Sequence, residues 1–177
     1  EKCIYNEKNK KSRDVKFVQN AIIELENNNF DKRYIFSTNG AEKNYELLLK
    51  ETEFEFEKVK ILDGKNEREI WQVFQIVYDK IEENDTIVLD ITHSLRYLPM
   101  LGITLLQYAK FLKNIKIDKI CYGLFDPEEH RNGKIEFPII DITSFSILQD
   151  WSLSGHLFLR SGIVEEFGDI ARIEFKP

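Results

Sequence analysis

The chain predicts an α/β domain of Rossmann type, an open and mostly parallel sheet with helices on both faces. Three observations lead there. Its 177 residues are about one domain's worth of chain. Hydrophobic residues make up 42%, enough to build a core and to argue against disorder. Short apolar runs alternate with longer stretches of helical period in four strand–helix units, with no repeat or flexible linker between them.

The elements follow in order. After the polar stretch from Asn6 to Lys11, Ser12 is expected to cap a helix that carries Val18, Ala21, Ile22 and Leu25 on one face and ends at Asn27-Asn28-Asn29. Tyr34-Ile35-Phe36 is a buried strand, and Asn39-Gly40 turns it into a short helix around Tyr45, Leu48 and Leu49. Phe56 to Leu62 is the next strand. Asp63-Gly64 is a turn, and Asn66 with Glu69 makes a capping box for a helix through Ile70, Val73, Phe74, Val77 and Ile81. Thr86-Ile87-Val88-Leu89 is a short branched strand of the kind buried on both faces of a parallel sheet. Pro99 suits the first turn of the helix that follows, which runs through Leu101, Leu105, Leu106, Ala109 and Leu112. Ile117 to Tyr122 is a strand, Asp126 to Gly133 a turn-rich insert, and Ile135 to Ile142 a further strand. A last helix starts near Thr143 and passes Phe145, Leu148, Trp151 and Leu159 until Gly162, and the tail from Ile170 to Phe175 reads as a short strand or an ordered extension.

One element is expected but missing. Folds of this type begin with an apolar strand before the first helix, and Cys3-Ile4-Tyr5 is a poor substitute. Either that strand lies upstream of Glu1, the favoured placement, which leaves an exposed groove in the sheet, or the tail from Ile170 to Phe175 fills its place.

Charge and cysteine content narrow the function classes. Twenty-five basic against 31 acidic residues give a net charge of −6, which excludes the broad basic surface of a generic DNA- or RNA-coating protein but leaves room for a local basic pocket. Cys3 and Cys121 make neither a disulfide scaffold nor a zinc site, and the three histidines form no metal-ligand pattern, so no metal is expected. No run nears the roughly 18 apolar residues of a membrane span. With no signal-peptide pattern either, a cytoplasmic location is expected, and the sequon-like Asn84-Asp85-Thr86 is coincidence.

The junction Asp90-Ile91-Thr92-His93-Ser94-Leu95-Arg96 carries the most information. A hydrophobic strand delivers these polar residues to the carboxyl edge of the sheet, where open α/β folds bind ligands. Arg96 can clamp a phosphate, Thr92 and Ser94 can donate hydroxyl hydrogen bonds, and the next helix offers backbone N–H groups to an anion. His93 can bind phosphate or sugar, or move a proton. The bland alternatives are that Asp90 only caps the turn and that His93 is a packed polar residue. The stretch is not a P-loop and lacks the GxGxxG fingerprint. Elsewhere the bland readings prevail: His130 on a solvated face, His156 packed near Leu153 and Phe158, Trp71 and Trp151 in the core, Asp141 and Asp150 positioning backbone or a domain surface.

Asp90-Ile91-Thr92-His93-Ser94-Leu95-Arg96 resembles the DxTHG motif of CRISPR-associated proteins with a CARF domain, the Rossmann-like sensor of type III defence systems. The resemblance extends along most of the chain. Tyr5 and Phe17-Val18-Gln19 match its early region, and Asp63-Gly64-Lys65 with the Trp71 helix its middle. Tyr122-Gly123, Pro138 to Thr143 and Asp150-Trp151 match its later part. Two departures stand out: the family's strand and glycine-containing loop before Tyr5 are absent, and Ser94 replaces the motif glycine.

The resemblance implies that residues 1–177 are an N-terminally incomplete sensor domain binding a cyclic oligoadenylate, cyclic tetra-adenylate above all, across a symmetric homodimer. It implies Thr92, His93, Ser94 and Arg96 as ligand contacts, with Thr38, Asn39 and Gly40 as neighbours and Lys2 and Tyr5 near the early ligand loop. Many relatives carry a HEPN ribonuclease domain, and this chain shows no Arg-x4–6-His pattern for one, so an effector is expected outside it. One alternative is a metal-independent ring nuclease, with Arg96 as the electrostatic clamp and His93 as acid or base. A second is a protein-interaction module that binds no nucleotide. No cofactor is implied, since the cyclic nucleotide is a ligand.

Overall fold

A computed structural model describes residues 2–162. The chain opens with a hairpin, β1 (Cys3–Glu7) and β2 (Lys10–Val15), then α1 (Val18–Leu25). Next come β3 (Tyr34–Ser37), a 3₁₀ turn at Asn39–Ala41, α2 (Glu42–Glu51) and β4 (Glu57–Lys60). α3 (Glu67–Asp79), β5 (Thr86–Asp90) and α4 (Leu98–Lys113) lead to β6 (Lys116–Gly123). The short α5 (Pro127–Arg131), β7 (Glu136–Asp141) and α6 (Ser144–Ser161) complete the fold. The tail segment from Ile170 to Phe175 lies outside the described residues.

The main sheet has the order β2-β1-β7-β6-β5, and β3 and β4 form a separate parallel pair. The α/β class holds, but the sheet is mixed. β5 runs parallel to β6 and β1 parallel to β7, whereas β6 and β7 are antiparallel, as are β1 and β2. The reason lies in the connections. β5 and β6 are joined through the sixteen-residue α4, long enough for a parallel crossover, whereas β6 and β7 are separated only by five-residue α5 and its turns, which bring the chain back antiparallel.

The start of the chain corrects the sequence reading. Ser12 does not cap a helix, and Cys3-Ile4-Tyr5 is a full strand. Lys8 takes a positive φ of 54° at the hairpin turn without a glycine to announce it. Between Ile4 and Asn6 the ladder slips, and the Tyr5 N–H donates instead to Ser12 Oγ at 2.9 Å. Ser12 in turn donates to Arg13 O at 2.8 Å and is only 8% exposed. The hydroxyl therefore fills the gap that a bulge opens in the ladder. β2 itself reads Lys10-Lys11-Ser12-Arg13-Asp14-Val15, buried only at Ser12 and Val15. Such charge on an edge strand discourages pairing with another sheet, and it also hides the strand from a hydrophobicity scan.

Helices cover both faces of the main sheet. On one, α1 presents Val18, Ala21, Ile22 and Leu25 to Cys3, Tyr5, Val15, Cys121, Phe137 and Ile139. On the other, α3 and α4 bring Phe74, Val77, Leu105, Leu106 and Ala109 onto Ile87, Leu89, Ile115, Ile117 and Ile120. α3 begins as the capping box predicts: Asn66 Oδ1 accepts from Glu69 N at 3.0 Å, and Glu69 reaches back to Lys65 N at 2.9 Å. β5 closes one edge of the sheet. Ile87, Val88 and Leu89 are only half-buried there, short of the burial their branched, apolar character predicts. Trp71 is also a correction: it is 61% exposed on α3, touching Phe74 edge-on, and is not a core residue. His156 likewise is exposed on α6 and not packed.

Ser12→Ala removes the hydroxyl that accepts from the buried Tyr5 N–H. It is expected to cost about 1–3 kcal/mol, read as a lower urea midpoint with an unchanged slope; an unchanged midpoint would show that β1 does not need the hydroxyl.

Candidate functional site

The site is built where β5 ends. Asp90, the last residue of the strand, is paired in register with Cys121 of β6. Its Oδ1 accepts from the Thr92 N–H at 2.9 Å and from the Thr92 hydroxyl, and its Oδ2 accepts from Gln19 Nε2 of α1 at 2.6 Å. Thr92 Oγ1 accepts in turn from Gly123 N, at 2.9 Å, at the end of β6. One carboxylate and one hydroxyl thus join β5, β6 and α1. The reading of Asp90 as a turn cap is correct, and it understates the residue: Asp90 also holds a helix from another part of the chain.

Gly123 is glycine for a steric reason. A Cβ on it would sit 2.5 Å from Val18 Cγ2 and 2.8 Å from Tyr5 Cε1, so any side chain would push α1 away from the sheet. Gln19 and Gly123 are the two site-building residues that sequence reasoning passed over as roles. A glycine closing an apolar strand was a usable signal for the second. Nothing local marks Gln19, whose partner is 71 positions away.

Beyond Thr92 the loop changes character. Ser94 donates to Ile91 O at 2.8 Å, a bond that folds the loop on itself, and α4 starts at an N-cap, Tyr97, that gives no side-chain cap. Pro99 lies in that first turn as expected. His93 and Arg96 are exposed and make no hydrogen bond or ion pair with the described residues. Their side chains stand on a fixed base with their polar groups uncommitted. Tyr97, the next residue, turns back to the loop after β4, with Oη 3.5 Å from Leu62 O.

The other expected contacts are less closely gathered. Thr38, Asn39 and Gly40 lie at the carboxyl end of β3, in the two-stranded sheet, and no described hydrogen bond or ion pair links them to Thr92–Arg96. Tyr5 is buried in the core under α1, with its phenol pushed above its ordinary range by burial first and by Cys3 second, so it supports the site from beneath. Lys2 stands beside Glu51, at 4.0 Å. His130 packs against Phe125 and Phe137, with Nε2 3.0 Å from Lys2 O, a structural position. Among the described residues no group of three or more His, Cys, Asp or Glu side chains comes close enough to hold a metal ion.

Asp90-Ile91-Thr92 has a twin. Asp141 Oδ1 accepts from Thr143 N at 2.8 Å and from Thr143 Oγ1 at 2.5 Å, and Thr143 Oγ1 accepts from Ile120 N at 2.9 Å. Asp141 therefore positions backbone, as its sequence context suggested. Cys121 is paired in register with both aspartates, one on each side. Burial first and the Asp90 carboxylate second push its thiol up to about 12.

A mixed α/β sheet flanked by helices, with an uncommitted basic loop at the carboxyl edge of a parallel strand, defines a ligand-binding domain of the Rossmann-like class. Comparison with known proteins makes that particular. Residues 2–126 match the family model described as "CRISPR system endoribonuclease Csx1, CARF domain", and the chain belongs to this CARF-domain family of CRISPR-associated proteins. It is also similar to CRISPR-associated protein MJ1674 of Methanocaldococcus jannaschii, 30% identical over 98 residues. That match covers 53% of this chain and 15% of the relative's length. No helix among the described residues is long and apolar enough to cross a membrane.

Two measurements test this architecture. Asp90→Asn puts an amide donor among three donors and is expected to cost about 2 kcal/mol of stability, read by urea denaturation; a cost near zero would remove Asp90 from the centre of the network. Cys121 supplies a pH test. Its thiol ionises near 9.0 when unexposed to the fold and near 12 within it, so above pH 9 the unfolded chain loses its proton first. Stability should therefore fall with rising pH in that window, more steeply than in Cys121→Ala. Equal slopes would refute the burial effect.

Proposed function

We propose that the domain is the sensor part of a CRISPR type III accessory protein and binds a cyclic oligoadenylate, cyclic tetra-adenylate above all. The observation that carries this reading is the pairing of a rigid base with a free reading edge. Asp90 and Thr92 are consumed by internal hydrogen bonds, while His93 and Arg96 remain exposed at the carboxyl edge of β5 and adjacent to the start of α4. A phosphate-rich ligand is matched by an uncommitted guanidinium next to backbone N–H groups at a helix start. The chain's net charge of −6 makes such a local basic loop selective for a small anion over bulk nucleic acid.

A second copy of the chain fits this reading. α4 runs straight out of the ligand loop, and its outward face exposes Met100 (75%) and Phe111 (63%). α6 lies beside it, with Gln107 Nε2 donating to Ser146 O at 3.0 Å and Lys110 2.5 Å from Asp150, and exposes Phe145 and Leu148. With Tyr108 and Leu112 the apolar area is on the order of 600 Å², close to the ~800 Å² that each partner brings to a standard interface. Two-fold pairing along α4 brings two loops together and repeats one polar patch around a repeated phosphate ring. Ring opening in the same site is the second reading. It is favoured by the exposed His93 imidazole three residues from Arg96: a ribose 2′-hydroxyl attacks the adjacent phosphorus, the P–O5′ bond breaks, and the proton leaves the 2′-oxygen and ends on the 5′-oxygen, with His93 as acid or base and Arg96 as the phosphate clamp. In this reading the sensor controls an effector domain or a separate effector protein.

Calorimetric titration with cyclic tri-, tetra- and hexa-adenylate, on protein whose mass in solution is measured alongside, tests these readings together. Saturable binding of the tetra-adenylate is expected at one ring per dimer. Arg96→Ala should weaken binding at least tenfold, the worth of one charge-assisted contact, with the dimer retained. Absence of binding by intact dimer would overturn the sensor reading, and linear products after long incubation would favour the ring nuclease.

A further inference from the structure

The turn Asp63-Gly64-Lys65 between β4 and α3 lies against the ligand loop. Gly64 has a φ of +73°, and a Cβ on it would sit 2.3 Å from Tyr97 Cζ and 2.4 Å from Tyr97 Oη. The Tyr97 ring therefore rests directly on the turn's backbone, and its hydroxyl reaches Leu62 O at 3.5 Å. Tyr97 follows Arg96 in the chain and Lys65 follows Gly64, with consecutive Cα atoms ~3.8 Å apart. The two basic residues thus flank one ring-on-backbone contact. Lys65 has a 73% exposed side chain whose ammonium meets only Asp63 Oδ2, at 3.0 Å, in a pair that is itself solvent-exposed. Exposed pairs of this kind are weak and exchange readily. Glu69, the other carboxylate nearby, accepts from the Lys65 N–H and from the Asn66 side chain and acts on the ammonium only through space, less than Asp63 does.

We propose that the β4–α3 turn is the second wall of the ligand site, with Lys65 contacting a phosphate of the same anion that Arg96 contacts. Gly64 is kept without a side chain so that Tyr97 can hold the two loops together. The inference rests on the cyclic-oligoadenylate reading above. A ring of phosphates offers more anionic oxygens than one guanidinium per protomer meets, and Arg96 is the one Lys or Arg of the β5–α4 loop. Lys65 gives the second from a different strand, so the spacing between the two cations is set by the Tyr97 contact. That spacing bears directly on which ring size fits.

The test is titration of cyclic tetra-adenylate at several salt concentrations into the wild type, Lys65→Ala, Lys65→Arg, Gly64→Ala and Arg96→Ala. Lys65→Ala should weaken binding about tenfold and reduce the slope of log K against log salt by about 0.7, one phosphate contact on a single strand. Lys65→Arg should restore most of both. Gly64→Ala should weaken binding with the Lys65 charge intact, because the loops separate. Wild-type affinity and salt slope in Lys65→Ala, with binding lost in Arg96→Ala, would overturn the second wall and leave the sensor reading standing. No binding by the wild type would overturn both.

Discussion

The Asp90 carboxylate is the constraint on which the rest of the site depends. An ionised carboxylate only accepts hydrogen bonds, and this one accepts from three donors on two elements. Such charge-assisted bonds are stronger than neutral ones, and here they act at the point where the chain leaves the sheet. Thr92 passes the constraint on to β6 by accepting from Gly123. Loop, edge strand, neighbouring strand and covering helix are fixed by a short chain of polar contacts. Gly123 completes the arrangement from the other side, because only a residue without a Cβ lets α1 come close enough for Gln19 to reach the carboxylate.

The same chemistry recurs on the opposite flank of β6 at Asp141 and Thr143. β6 is therefore held on both sides by hydroxyls that replace backbone acceptors where the ladders end, which satisfies N–H groups that would otherwise be buried without partners. At the far end of this sheet a second polar group does related work. Lys119 of β6 reaches Glu7 at 2.9 Å and also Glu26, tying the hairpin and the end of α1 to the central strand. Burial alone works against its charge, and the Glu26 and Glu7 carboxylates more than offset that, holding the ammonium above its ordinary range.

The parts legible in the sequence were those with a local cause. The capping box at Asn66 and Glu69, the apolar period of α3 and α4, and the strand-to-loop junction at Asp90 each depend on neighbours within a few residues, and each formed where expected. The α/β class and the family followed from the same junction. What was not legible depends on distant partners or on charge. β2 has too many charged residues to look like a strand, and its pairing with β1 turns at Lys8 without the usual glycine. Ser12 looks like a helix cap because small hydroxyl residues serve that role often, but its actual role is set by a slip in a ladder seven residues earlier. The antiparallel course of β7 depends on how the short α5 redirects the chain. Trp71 has helical spacing and an aromatic side chain, yet no element covers it among the described residues. For the candidate site, the polar loop that follows Asp90 was readable as a stretch of sequence, whereas the Gln19–Asp90 and Gly64–Tyr97 contacts exist only once the chain has folded.

The division within Asp90–Arg96 has a consequence for how such domains diversify. Asp90 and Thr92 belong to the framework, and exchanging either disturbs three elements at once. His93 and Arg96 make no hydrogen bond or ion pair with the described residues, so substitutions there leave folding nearly untouched. Ser94 lies between these regimes: its hydroxyl is spent on Ile91 O, which lets a residue other than glycine keep the loop's shape. A chain built on this loop can therefore change at His93 and Arg96 without disturbing the fold, whereas Asp90 and Thr92 are held by the contacts they make inside it.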